Sequence, residues 1–333
     1  MTIINGIEID FVKINIDENR QAIINNEPID NKLHVIAVIS NPCQFARRYI
    51  LAREFIMRME QEENIILYVV ELAYGEQEFY VTEKNNKRHL QLRGSVPLWH
   101  KENMINIGVR KLLPKTWKAF AWIDADIEFE NPSWALDTLK VLNGCKDVVQ
   151  LFSHAVDMDK HHNAMCIFPS FGFQYSKKNA YGGTGINMWH PGFAWAMTRK
   201  AYDKVGGLYE KSILGAGDHN MSFAYIGNGE KSVNTATTDD YKQSIIDFES
   251  KAKQLRLGYV SGVIRHYFHG SKKNRKYQER WQILVNNMFS PSLHITKNKD
   301  GLLIPTKECP KQMLDSIMEY FKERNEDEGY HEN

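Results

Sequence analysis

Cysteine is scarce in this chain of 333 residues: there are four, Cys43, Cys145, Cys166 and Cys309, with no CxxC pair among them. That excludes a disulfide framework and a structural zinc knuckle, and points to a reducing compartment. Net charge is nearly missing as well. The 42 Lys and Arg stand against 41 Asp and Glu, a balance of +1, so no global field draws the chain toward nucleic acid or an anionic membrane. Long apolar runs are also lacking. The opening MTIINGIEIDFVKIN alternates apolar and polar residues and carries Asp10 and Lys13, which leaves no signal-peptide core and no membrane span there. The expectation is a cytoplasmic protein with no nucleic-acid partner. What is present, 43% hydrophobic and 25% charged residues, suits a folded domain of enzyme size rather than a disordered or fibrous chain.

Residues 1–31 alternate around Asn5-Gly6 and end in a polar stretch with Pro28, which reads as an N-terminal β-extension. KLHVIAVIS (32–40) is a near-continuous β-branched run of the kind covered on both faces, and Asn41-Pro42 turns the chain after it. FARRYILAREFIMRME (45–60) spaces Phe45, Ile50, Phe55 and Met59 as a helix would. A second buried run, NIILYVVELA (64–73), precedes a helix over 99–113 that stops before Pro114, and a third run, KAFAWIDADIEF, spans 118–129. Strands alternating with helices imply an α/β fold with a doubly wound, mostly parallel, Rossmann-like sheet. Ligands on such sheets sit at the carboxyl ends of strands, so Asn41, Glu71 and Asp124 to Asp126 should meet in one crevice. The Gly-rich polar stretch 171–192 reads as a lid, and the tail from about residue 310 as the amphipathic helix MLDSIMEYF followed by a solvated acidic stretch.

Three segments carry chemistry. Asp124-Ala125-Asp126 stands where the strand AFAWI runs out. Two carboxylates so close raise each other's pKa unless a cation neutralises them, as a divalent ion with a diphosphate would; the plainer reading is a strand ending in surface acids. RHYFHGSKKNRKYQERW (265–281) puts His266 and His269 beside Lys272, Lys273, Arg275 and Arg280. Imidazoles for a metal and cations for phosphate oxygens suit a metal-bound diphosphate leaving group, and a solvated basic loop is the alternative. LGAGDHNMSFA (214–224) presents Asp218 at a helix start, as a general base or as an N-cap. Gly182, Gly183 and Gly185 are not followed by GK[ST], so no phosphate loop is assigned there.

In order, VISNP, LYVVELA, LWHKENMINIG, AWIDADIEF, HPGFAWAMTRKAYDKVGGLYE, GAGDHN and IRHYFHG with its basic run form a series that resembles the GT-A glycosyltransferases using nucleotide-sugar donors, in layout the β-1,4-galactosyltransferase type. The resemblance covers about 32–290, with 291–333 as a C-terminal extension. It implies that Asp126, with His266 or His269, holds Mn2+ or Mg2+, that Asp124 contacts the donor, and that Asp218 is the general base of an inverting transfer. It also implies donor contacts from Lys101, Asn106 and Arg47, a nucleotide sugar (a UDP-sugar) as donor, and a glycan or glycoconjugate as acceptor. Lys272 would neutralise phosphate. Where that family's turn carries two adjacent acids, this chain has Gly217-Asp218. The alternatives are an inactive GT-A module that binds glycan or nucleotide sugar, and a sugar nucleotidyltransferase, whose Gly-rich, Lys-bearing loop is replaced here by NPCQFARR.

Overall fold

A computed structural model describes residues 2–4, 7–9 and 26–329. The expected N-terminal β-extension therefore lies mostly outside the described residues; within it, β1 (Thr2–Ile4) and β2 (Ile7–Ile9) pair antiparallel. The next elements are β3 (Leu33–Ser40), α1 (Ala46–Glu60), β4 (Ile65–Tyr74), β5 (His89–Gly94), α2 (Lys101–Leu112), β6 (Ala119–Ile123), β7 (Ile127–Phe129) and α3 (Trp134–Leu142). Then come β8 (Val148–Gln150), β9 (His154–Met158), β10 (Ala164–Pro169), α4 (Phe171–Ser176), β11 (Ala194–Thr198), α5 (Arg199–Val205), α6 (Gly217–Tyr225) and α7 (Asp239–Ala252). The last are β12 (Leu257–Tyr259), β13 (Val263–His266), α8 (Trp281–Asn286), α9 (Pro291–His294), β14 (Ile295–Lys297), β15 (Leu303–Pro305) and α10 (Lys311–Glu323).

The central sheet has seven strands in the order β12-β8-β11-β6-β3-β4-β5. All neighbours are parallel except at β11, which runs antiparallel to β6 and β8. Helices cover both faces, so β3 is apolar on both. Val35, Ala37 and Ile39 pack with Phe55 of α1 and Leu139 of α3, whereas Ile36 packs with α2 and the helices beyond it. This is the Rossmann-like, largely parallel α/β fold expected from the alternation of runs. Burying each large apolar side chain here stabilises the fold by about 1.5–3 kcal/mol. Gly108 lets α2 approach the sheet, because a Cβ there would stand 3.1 Å from Val70 and 3.2 Å from Ile36.

Three expectations need correction. Ile50 of α1 is 47% exposed, and the inward face is Leu51, Ala52, Phe55 and Met59 instead. The run 118–129 is not one strand: β6 ends at Ile123, the two acids form a turn, and β7 joins a different sheet of order β10-β9-β13-β7. The described part of the tail beyond α10, to Gly329, is not simply solvated, for Arg324 and Glu326 are 3% and 0% exposed, while residues 330–333 lie outside the described residues. Amphipathic α10 does bury Met313, Ile317, Tyr320 and Phe321 as its pattern implies.

The break after β6 positions the site. Because β7 pairs with β13, and β13 with β9, His266 lies in register with both Ile127 and Asp157. The Tyr267 amide donates to the Asp126 carbonyl at 2.8 Å. On the other side the Asp124 amide donates to the Phe193 carbonyl at 2.8 Å, where β11 joins β6. The acid pair is thus clamped between the two sheets.

Candidate active site

A cleft of about 1190 Å³ opens at the carboxyl ends of β3 and β6, above the range of about 300–1,000 Å³ usual for one small-molecule ligand. Asn41, Lys101, Asp124, Asp126, Asp218, His266, His269 and Lys272 all line it.

At one end three ligand atoms converge. The Asp126 Oδ2 lies 2.9 Å from His269 Nε2 and 3.8 Å from His266 Nε2, and the two imidazole nitrogens are 3.3 Å apart. Donors bound to one ion at about 2.0–2.2 Å stand at similar separations, and Oδ1 of Asp126 is buried without a partner. Two imidazoles and a carboxylate fit a divalent metal, and among the described residues this Asp, His, His group is the one cluster of that kind. Both histidines belong to it. Burial would raise the Asp126 carboxyl, but His269, then His266 and Arg275, outweigh it and hold that carboxyl well below the usual range.

A second layer fixes the imidazoles. His266 Nδ1 lies 2.7 Å from Asp157 Oδ1, and since a carboxylate only accepts, Nδ1 donates to it while Nε2 faces the cluster. Asp157 is also paired with Lys272. Against its burial, the bond to His266 and Lys272 hold its carboxyl well below the usual range. His269 Nδ1 lies 3.6 Å from Glu326 Oε2, and Arg275 donates to the His269 carbonyl at 3.2 Å. Glu326 accepts from Arg48 Nε and Arg324 Nε, each at 2.8 Å. Its neighbours in the tail are engaged too. Asp327 accepts from the Ala46 and Arg47 amides at 3.0 and 2.8 Å, supplying the cap that Phe45 cannot give α1. Glu328 accepts from Ser271 and Asn274 at the start of the basic run.

Toward the middle of the cleft, Lys101 Nζ is 2.6 Å from Asp124 Oδ1 and 2.8 Å from Asp218 Oδ2. A cation at the first position of a helix opposes the macrodipole; the two carboxylates account for it. Burial lowers the pKa of Lys101, but Asp124, Asp218 and Glu102 raise it well above its ordinary value. Burial, with Lys101 opposing and Asp126 and Asp218 adding, lifts Asp124 to about 6. Asp218 is not an N-cap. Ala216 holds that position at φ 72°, no side chain caps α6, and the Asp218 side chain turns to Lys101. A non-glycine residue in the left-handed region costs about 1–2 kcal/mol, and Ala216 and Phe193 (φ 80°) both line the cleft. His190, which stacks on Phe193 at 4.2 Å, is pushed down to about 3 by burial and then by His266, so it is a neutral cleft residue.

Three residues flagged in the sequence lie elsewhere. Glu71 is buried within β4 and outside the cleft, its carboxylate accepting from the Tyr80, Val81 and Thr82 amides and from Thr82 Oγ1. Asn106 bonds Leu208, Tyr202 and Glu210, bracing the chain after α5. Arg47 is buried and donates to the Phe268 carbonyl, while its neighbour Arg48 lines the cleft. Asn41 lines the cleft but spends its amide on Phe45, closing the turn after β3. The stretch 171–192 is not a uniform lid: Phe171 is fully buried in α4, Trp189 is 8% exposed, and Tyr181 is 57% exposed. Trp195 is core, its indole donating to the Pro191 carbonyl. Arg48, Glu102, Asp157 and Glu326 were not flagged. Only their long-range partners mark them, and no local pattern carries that.

No known protein family and no curated protein matches the chain. Among solved structures, the catalytic domain of a Drosophila β-1,4-galactosyltransferase 7 in complex with xylobiose is similar at 9% identity, covering 86% of this chain and 99% of that one with a TM-score of 0.36. A putative nucleotide-diphospho-sugar transferase from Desulfovibrio desulfuricans is 9% identical, covers 71% and 82%, and has a TM-score of 0.30. A 4-diphosphocytidyl-2C-methyl-D-erythritol synthase from Anaerococcus prevotii is 11% identical, covers 70% and 88%, and has a TM-score of 0.32. Likeness at that level says nothing of chemistry. No helix among the described residues is long and apolar enough to cross a membrane. The chain has a mixed α/β fold with a largely parallel sheet and a cleft whose Asp, His, His cluster can hold a divalent metal.

Proposed function

We propose that this protein is a metal-dependent glycosyltransferase, moving a sugar from a nucleotide sugar, a UDP-sugar in this reading, to a hydroxyl of a glycan or glycoconjugate with inversion. The domain at 32–290 would carry the reaction, with 291–333 adding Glu326 behind the metal ligands. The observation that carries the reading is the junction of two sites in one cleft. Asp126, His266 and His269 stand at one end, and Lys101 joins Asp124 to Asp218 beside it.

Asp126, His266 and His269 would hold Mn2+ or Mg2+, which when bound supplies positive charge to the diphosphate leaving group. Lys272 and Arg275 line the same end and would face phosphate oxygens. Asp124, with Lys101, would face the donor. Asp218 would accept the acceptor hydroxyl's proton as that oxygen bonds the anomeric carbon, and the bond from that carbon to the phosphate oxygen breaks with its electron pair leaving on the diphosphate. A Cβ at Gly192 would lie 3.8 Å from Asp218 Oδ2, so the glycine keeps the space before that carboxylate open.

The test is a panel of nucleotide sugars incubated with and without Mn2+, following release of nucleoside diphosphate with and without acceptor glycans. Metal-dependent release that Asp126→Ala abolishes supports a transferase. Tight binding of a nucleotide sugar without any release would support an inactive binding module instead.

A further inference from the structure

Glu102, the second residue of α2, is 2% exposed. Its Oε1 is buried without a hydrogen-bond partner, and so is Oδ1 of Asp218. The two acids meet at Gly217. A Cβ there would stand 2.2 Å from Glu102 Oε1 and 2.3 Å from its carboxyl carbon, far inside van der Waals contact. Gly217 is therefore glycine for space: a carboxyl group from another helix fills the room its side chain would take.

A charged carboxylate in that place would sit beside Asp218 with one oxygen unbonded, a costly arrangement in a dry interior. The titratable groups facing Glu102 are Lys101 on its own helix, Asp218 on α6, Asp124 in the turn after β6, and Tyr241 on α7. Burial first, and then the Asp218 charge, push the Glu102 carboxyl up to about 8, with Lys101 opposing.

We propose that Glu102 is a positioning residue: a neutral, buried carboxylic acid seated on Gly217 that fixes the start of α6 and leaves the Lys101 ammonium to Asp218 and Asp124. Its effect on transfer rests on the glycosyltransferase reading; its protonation does not. Once ionised, the carboxylate would compete for Lys101 and pull toward water, displacing the turn that carries Asp218.

Two measurements test this separately. The infrared spectrum of the wild type at neutral pH should contain a protonated-carboxyl stretch that Glu102→Gln removes. In the transfer assay, the wild-type rate should fall as pH rises through about 8, whereas Glu102→Gln should hold its rate through that range. Gly217→Ala, which evicts the carboxyl from its seat, should lower transfer by up to about 10²-fold through misplacement of Asp218, with metal and donor binding retained. An unchanged carboxyl band in Glu102→Gln, or the same break near pH 8 in that variant, would overturn the proposal. If the wild type transferred no sugar, the functional reading would fail while the infrared result still decided the state of Glu102.

Discussion

Glu326, in the tail beyond α10, lies 3.6 Å from Nδ1 of His269, so the end of the chain braces an imidazole of the candidate metal cluster. The carboxylate is fully buried between Arg48 and Arg324. Removing its charge leaves two guanidinium groups without their counter-ion, which for a buried pair costs about 3–5 kcal/mol. Glu326→Gln should lower the melting temperature and weaken Mn2+ binding, because the carboxylate charge 3.6 Å behind the His269 imidazole is lost. Calorimetric titration of folded variant with Mn2+ checks this; unaltered affinity would show that the tail is only structural.

The same residue sets an acid limit. Burial raises the Glu326 carboxyl, but Arg48, Arg324 and His269 outweigh burial and hold it well below the ordinary 4.5. A carboxyl whose folded pKa is depressed contributes stability that is fully present above the unfolded value and lost as pH falls through the folded one. Glu102 has the opposite sign. Its folded value of about 8 lies above 4.5, so its contribution is present below about 4.5 and is lost as pH rises through 8. Melting curves recorded across pH should therefore flatten on the acid side in Glu326→Gln and on the alkaline side in Glu102→Gln.

Lys101 joins Asp124 to Asp218, and its removal would leave two neighbouring buried carboxylates without a cation. Lys101→Met should lower both donor affinity and transfer rate, with a fall in melting temperature. Lys101→Arg should not restore them, because a planar fork cannot replace a point charge between two acids. Full activity in Lys101→Arg would contradict a role for that geometry.

Asp218→Asn tests the general base. No capping bond is at stake, since the side chain makes none, but the ion pair with Lys101 goes. Transfer should fall by about 10² or more while donor and Mn2+ binding persist. Near-normal transfer would refute the assignment.

β3, α1, β4 and α2 were legible because each is a long run with one period: eight apolar-rich residues in β3, ten in β4, and an amphipathic α1, whereas β5 was missed. The short strands of the second sheet were not legible, for three to six residues carry too little pattern to declare a sheet change. Asp124, Asp126, His266, His269 and Asp218 stood out as residue types at chain turns, and the structure gathers them in one cleft. Glu71 satisfied the same rule of position and Asn106 fell within the resemblance, yet the polar atoms of Glu71 are taken by the Tyr80–Thr82 segment and those of Asn106 by Leu208, Tyr202 and Glu210. What the sequence hid was partnership: Glu326 with His269, Asp157 with His266, and Glu102 with Gly217 are separated by dozens of residues or more, and only the fold brings them together.

The measurement that bears most directly on the central claim is Mn2+-dependent binding of UDP, titrated on the wild type and on Asp126→Ala, His266→Ala and His269→Ala. The account predicts that the wild type binds UDP tightly only when Mn2+ is present, and that each substitution removes most of that metal-dependent gain. Equal UDP affinity with Mn2+ and in excess EDTA, unchanged in all three variants, would contradict it.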